Sequence, residues 1–107
     1  VESGAGTRAG LVLPVTTMAE EHGTWMNRDG RVQRYQQAKS PPGMAQPAWW
    51  VAAGALATID PSADTPGSAA QAFAALGASW PALAGLSYQE LGLGGRVAAP
   101  AMAEAAR

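Results

Sequence analysis

The sequence predicts an α+β chain: a short strand and a β-hairpin, followed by two to four short helices. Three observations carry this. Asp29-Gly30 lies between two runs rich in Trp, Val and Tyr, and that dipeptide between strand-forming residues is a strong short-range hairpin signal. Pro47 precedes a stretch that is apolar almost throughout, where its fixed φ suits the first residue of a helix. Ser68 and Ser87 each stand ahead of a short run that ends near glycine, the usual start and stop of a capped helix.

Residues 1–10 are rich in Gly and Ala and are expected to be irregular. Leu11-Val12-Leu13, closed by Pro14, predicts a buried strand over 11–13 that must stop at the proline. Thr16 or Thr17 can cap one helical turn that carries Glu20 and Glu21. The hairpin is expected over 23–36, with Gly30 taking the positive φ that a residue with a Cβ resists. Pro41-Pro42-Gly43 breaks regular structure. A helix over 47–59 follows, with Trp49, Ala52, Ala53 and Leu56 on one stripe and Trp50 and Val51 pointing elsewhere. A helix apolar on every face calls for cover on every face.

Residues 60–67, DPSADTPG, read as a linker between a unit at 1–59 and a helical C-terminal tail at 68–107. In that tail Ser68 caps a helix to about Leu76, with Gly77 as its terminator. Trp80-Pro81 begins a short turn or helix, Ser87-Tyr88-Gln89-Glu90 has capping-box spacing, and Gly92 to Gly95 closes it. The stretch from Val97 to Arg107 has no strong anchor.

Composition narrows the function classes. Only 14% of the 107 residues are charged and the net charge is −1, which lacks the clustered Lys and Arg of a nucleic-acid surface. The chain has no cysteine and one histidine, His22, so it offers no disulfide, thiolate site or iron–sulfur ligation, and no zinc site from His22 alone. The apolar fraction is 48%, but much of it is alanine, with four Trp, two Tyr and one Phe supplying the large rings. At roughly 25 cal/mol per Å² of buried apolar surface, such a core is a weak one. No apolar run is long enough to cross a membrane. The chain opens on Val1 without a charged leader and apolar run, so a processed, truncated or excised piece is expected.

The polar groups concentrate between Leu13 and Trp50. Glu20, Glu21 and His22 are a candidate metal or acid–base cluster, but adjacent residues on a turn do not converge, and a solvated or ion-paired turn is favoured. Arg28, Arg31, Arg34 and Lys39 form a local positive patch that could meet a phosphate. Pairing with Asp29, Glu20, Glu21 or a partner subunit is the favoured reading. Gly92-Leu93-Gly94-Gly95 lacks the strand and helix of a dinucleotide fingerprint and reads as a turn. Trp25, Trp49, Trp50 and Trp80 could stack bases, yet core or subunit-interface packing is the better expectation. No residue is assigned a catalytic, cofactor-binding or metal-ligating role.

Leu13-Pro14, Glu20, Gly23-Thr24, Asn27, Gly30-Arg31-Val32-Gln33, Ala38, Pro42-Gly43, Ala45 and Trp49 fall in a familiar order. Over about residues 9–57 they resemble the closing part of the molybdopterin-oxidoreductase region. The nearest likeness is to the large iron–sulfur subunit of NADH-quinone oxidoreductase, respiratory complex I. Asp29 stands where that pattern has Glu, and Gly10, Met44 and Ala48 stand where carboxylates are frequent.

The resemblance implies a fragment of a larger α/β fold and a structural role in a large electron-transfer subunit. It implies iron–sulfur clusters and FMN in the parent complex, with none of these held by this chain. The implied partners are the remainder of that large iron–sulfur subunit and other peripheral-arm subunits of complex I, at the cytoplasmic face of the inner membrane, with no direct membrane insertion. Two rival readings remain: a cofactor-framing segment of a molybdopterin-dependent enzyme such as a formate dehydrogenase, and a small non-catalytic interaction module.

Overall fold

The computed structural model describes residues 4–99. Its elements are strands β1 (Gly23–Met26), β2 (Arg31–Tyr35) and β3 (Arg96–Val97), and helices α1 (Ala48–Ile59), α2 (Ala69–Ser79) and α3 (Tyr88–Leu91). Single 3₁₀ turns lie at Gly6–Arg8, Met18–Glu20 and Pro81–Leu83. The strands form one antiparallel sheet in the order β1-β2-β3. This is the predicted α+β class, a small sheet with a few short helices.

The hairpin forms where the turn residues demand it. Gly23 faces Tyr35 and Met26 faces Val32 across the pair. Asn27 Oδ1 accepts from the Asp29 N–H at 3.0 Å and the Arg31 N–H at 2.9 Å, the side-chain mimicry of a backbone turn for which Asn is favoured. Gly30 takes φ of 79° and its carbonyl accepts from the Ala98 N–H at 2.8 Å. One glycine thus closes the turn and receives the third strand.

The core is a single cluster of Val32, Phe73, Leu83, Leu91 and Ala98, with Met26, Ala82, Leu86 and Tyr88 packed against it. It therefore draws on both sides of residues 60–67. α2 starts at Ser68, whose Oγ accepts from the Gln71 N–H at 3.1 Å, and α3 at Ser87, whose Oγ accepts from the Glu90 N–H at 3.2 Å.

Several expectations need correction. Leu11-Val12-Leu13 is not a buried strand: the three side chains are 75%, 61% and 53% exposed. Pro14 has no N–H to give a ladder, and the only pairing described nearby is a parallel bridge of Val15 with Gln46. Gly77 does not end α2, which runs on to Ser79. A Cβ at Gly77 would lie 3.1 Å from the Leu83 carbonyl oxygen, so its bare backbone permits close packing, and the helix stops before Pro81 instead.

The chain after Gly95 is anchored as far as it is described. Arg96 and Val97 add β3 to the hairpin, Ala98 is buried, and the Ala99 N–H donates to the Ala82 carbonyl at 3.0 Å. Residues 100–107, expected to be loose, lie outside the described residues, as do residues 1–3 of the stretch expected to be irregular. α1 has no fully buried residue. Trp49, Val51 and Ala53 are half-buried, while Trp50, Leu56 and Ile59 are exposed. The helix expected to need cover on every face is only partly covered, at Trp49, Val51 and Ala53.

Candidate functional site

The Glu20-Glu21-His22 cluster diverges. Glu20 is buried; its Oε2 accepts from the Thr17 N–H at 3.0 Å and its Oε1 pairs with Lys39 Nζ at 3.2 Å. The Thr17 N–H, assisted by Lys39, holds the Glu20 carboxyl below the usual carboxylate range. Glu21 turns the other way, accepting from Thr16 Oγ1 at 2.5 Å and from the Tyr35 hydroxyl at 3.2 Å. His22 Nδ1 accepts from the Gln37 N–H at 3.3 Å. Three neighbours serve three separate anchors, and no group of three or more His, Cys, Asp or Glu among the described residues could hold a metal ion.

Within the chain, the hairpin arginines do not pair with Asp29, Glu20 or Glu21, the carboxylates expected for them. Arg31 Nη1 donates to the Gly94 carbonyl and Arg34 Nη1 to the Tyr88 carbonyl, each at 3.2 Å. The Arg34 guanidinium also lies 4.7 Å from the Tyr88 ring centroid, within cation–π range. These contacts tie the hairpin to residues 88–94. Among the described residues only Lys39 of this patch meets a carboxylate, and Arg28 has no hydrogen bond or ion pair.

Nor do the tryptophans form a platform or join the core. Trp25, Trp50 and Trp80 are exposed, and the one described ring pair is Phe73 with Tyr88, centroids 5.8 Å apart. Trp49 is half-buried, and its Nε1 is shut away without a hydrogen-bond partner. Gly92 to Gly95 forms a turn with positive φ at Gly92 and Gly95. It serves packing, because Gly95 presses on the backbone of Val32.

What the sequence did not reveal is a cleft of about 310 Å³ between the hairpin, α1 and α2. Glu21, Tyr35, Trp49, Phe73 and Tyr88 line it. Gly23 fits there because its bare Cα lies against the Tyr35 ring, in space a Cβ would claim. Burial, followed by the Glu21 charge, pushes the Tyr35 phenol above its ordinary value. Burial does the same at Tyr88, partly offset by Arg34. The spacing of Thr16, Glu21 and Tyr35 carries no local periodic signal; only the fold brings them together.

Comparison with known proteins gives this fragment a family. The molybdopterin oxidoreductase family matches residues 2–58, the segment that holds the hairpin and nearly all of α1. The alpha subunit of F420-dependent formate dehydrogenase 2 from Methanococcus maripaludis is 33% identical over 95 residues, covering 81% of this chain and 13% of that protein. Putative formate dehydrogenase YrhE from Bacillus subtilis is 46% identical over 43 residues, covering 40% of this chain and 4% of that protein. The chain therefore spans a small fraction of the length of these relatives. No solved structure matches. With more than half of its residues matched by the family model, the chain belongs to the molybdopterin oxidoreductase family.

Proposed function

We propose that the chain is a structural segment of a formate-dehydrogenase-type molybdopterin oxidoreductase, packing its hairpin and α1 against the remainder of that protein. The observation that carries this is α1. A helix with Trp50, Leu56 and Ile59 exposed, lying almost wholly within the family match, has the character of an element made to be covered. The hairpin then acts as a rigid brace: Asn27 and Gly30 fix its turn, and Arg31 and Arg34 fasten it to residues 88–94.

Two observations speak for a supporting role over a pterin-dinucleotide cradle on this chain. Arg31 and Arg34 are engaged with carbonyls, and the cleft between the hairpin and the helices presents the Glu21 carboxylate, which repels a diphosphate. Arg28, exposed at the hairpin turn, is the one hairpin cation with no described partner. In this reading the chain supplies support, and the cofactor is held by other parts of the parent protein.

The narrower reading, as part of the large iron–sulfur subunit of complex I, makes the same structural demand. It adds iron–sulfur clusters and FMN in the assembly, peripheral-arm partners and a place at the cytoplasmic face of the inner membrane. The formate dehydrogenase relatives favour the molybdopterin-dependent reading over it. Purifying the assembly through a tag on this chain separates the two. Molybdenum with formate-dependent dye reduction is the expected result. Flavin and NADH oxidation without molybdenum would establish the complex I reading instead, and a lone monomer would leave only an interaction module.

A further inference from the structure

Glu21 carries a charge that its neighbours do not balance. It is half-buried, and both of its described partners, Thr16 and Tyr35, are neutral hydroxyls that donate one hydrogen bond each and leave the negative charge in place. The ion pair described in the chain joins Lys39 to Glu20, not to Glu21. Partly desolvated carboxylates are stabilised by a cation, and none among the described residues lies within ion-pairing distance of this one.

The surroundings of Glu21 specify what kind of cation would fit. Tyr35, Trp49, Phe73 and Tyr88 line the same cleft, and aromatic faces attract cations through the ring quadrupole. Tyr88 already does so on one side, where Arg34 stacks at 4.7 Å with its head group donating to the Tyr88 carbonyl. His22 also borders the cleft, with Nδ1 occupied by the Gln37 N–H. The cleft volume of about 310 Å³ lies at the small end for ligand sites, matching a compact head group.

We propose that this cleft binds an ammonium group, with Glu21 supplying the countercharge and the rings of Tyr35 and Trp49 the apolar, cation-attracting walls. Two sources share this chemistry: a small free ammonium compound, or the Lys head group of a polypeptide that covers α1. The second source rests on the structural reading above; the first does not.

Two arms distinguish them. In the first, choline is titrated into the 107-residue chain while the amide resonances of Gly23 and Thr24 are followed, with 3,3-dimethyl-1-butanol as the neutral isostere. Saturable shifts with choline, absent with the isostere and weakened about tenfold in Glu21→Gln and in Trp49→Leu, support a free ligand. In the second, a water-soluble carbodiimide is applied to the assembly purified through this chain. An amide joining Glu21 to a Lys of the covering polypeptide, formed with loss of water and found by mass spectrometry, supports the second source. Equal binding of the isostere, or neither a choline response nor a Glu21 cross-link, would overturn the proposal. Failure of the cross-link alone bears only on the covering polypeptide and leaves the choline result standing.

Discussion

Gly94 and Gly95 are adjacent and identical in sequence, yet substitution by alanine should separate them sharply. At Gly94 an added Cβ meets nothing within 4 Å, and φ is not positive. At Gly95 φ is 74°, a region that costs a residue with a Cβ about 1–2 kcal/mol. The same Cβ would run into the Val32 carbonyl oxygen and come within 2.7 Å of Gln33 Cγ. The Gln33 side chain can swing aside. The Val32 carbonyl belongs to β2 and cannot, so β3 must withdraw.

That withdrawal endangers the Ala98 N–H bond to the Gly30 carbonyl at 2.8 Å, worth about 1 kcal/mol net, along with the seat of buried Ala98. Together these give about 3 kcal/mol for Gly95→Ala, against within about 0.5 kcal/mol for Gly94→Ala. With a urea m-value of about 1–3 kcal/mol/M, the unfolding midpoint of Gly95→Ala should fall by about 1–3 M. Tryptophan fluorescence during urea unfolding measures it. Equal midpoints for the two variants would refute the claim that Gly95 is required by the approach of β3 to β2.

The other expectations are simpler to state. Gly30→Val places a β-branched residue at φ of 79° and should cost about 2 kcal/mol or more; loss of hairpin amide protection in hydrogen exchange checks it. Gly54→Ala, in mid-helix with open space around it, should stabilise by about 0.5–1 kcal/mol, whereas Gly77→Ala, held 3.1 Å from the Leu83 carbonyl, should forfeit that gain; thermal melts of both variants test the contrast. The folded-state pKa of Glu20 is lowered, so its contribution is present above the unfolded carboxylate value and is lost as pH falls through the folded one. Stability should therefore decline on acidification below about pH 4.5, and Glu20→Gln should flatten that part of the urea-midpoint profile. Ile59→Asp, at an 82% exposed position, should leave the melt of the free chain nearly unchanged yet reduce recovery of the assembly in a pull-down.

What could be read from the sequence was chemistry that acts within a few residues. The turn at Asp29-Gly30, the Ser68 and Ser87 caps and a helix beginning beside Pro47 each depend on one residue and its immediate backbone, and each is found, with Pro47 as the cap before Ala48 rather than the first helical residue. Contacts across distance were hidden. β3 is two residues long, too short for any alternation to show, and its pairing depends on the bare Cα of Gly95. Arg31 and Arg34 were expected to seek carboxylates, but the fold brings them carbonyls of residues 88–94. Leu11-Val12-Leu13 has the composition of a buried strand, and composition cannot tell whether a partner strand stands beside it.

The segment that matches the family model and the residues that build the core overlap little. The family match ends at residue 58, yet of the five residues in the core cluster only Val32 comes from within it. Phe73, Leu83, Leu91 and Ala98 come from beyond. The matched part thus borrows its core through one face of the hairpin, and it leaves α1 and the 11–15 segment largely uncovered. Burying a large apolar side chain is worth about 1.5–3 kcal/mol, so leaving Leu11, Val12, Leu13, Trp50, Leu56 and Ile59 in water forgoes a stabilisation comparable with that of a whole small domain. A sequence that specifies its hairpin turn with a dedicated Asn and Gly while leaving this surface bare fits the structural role proposed for it.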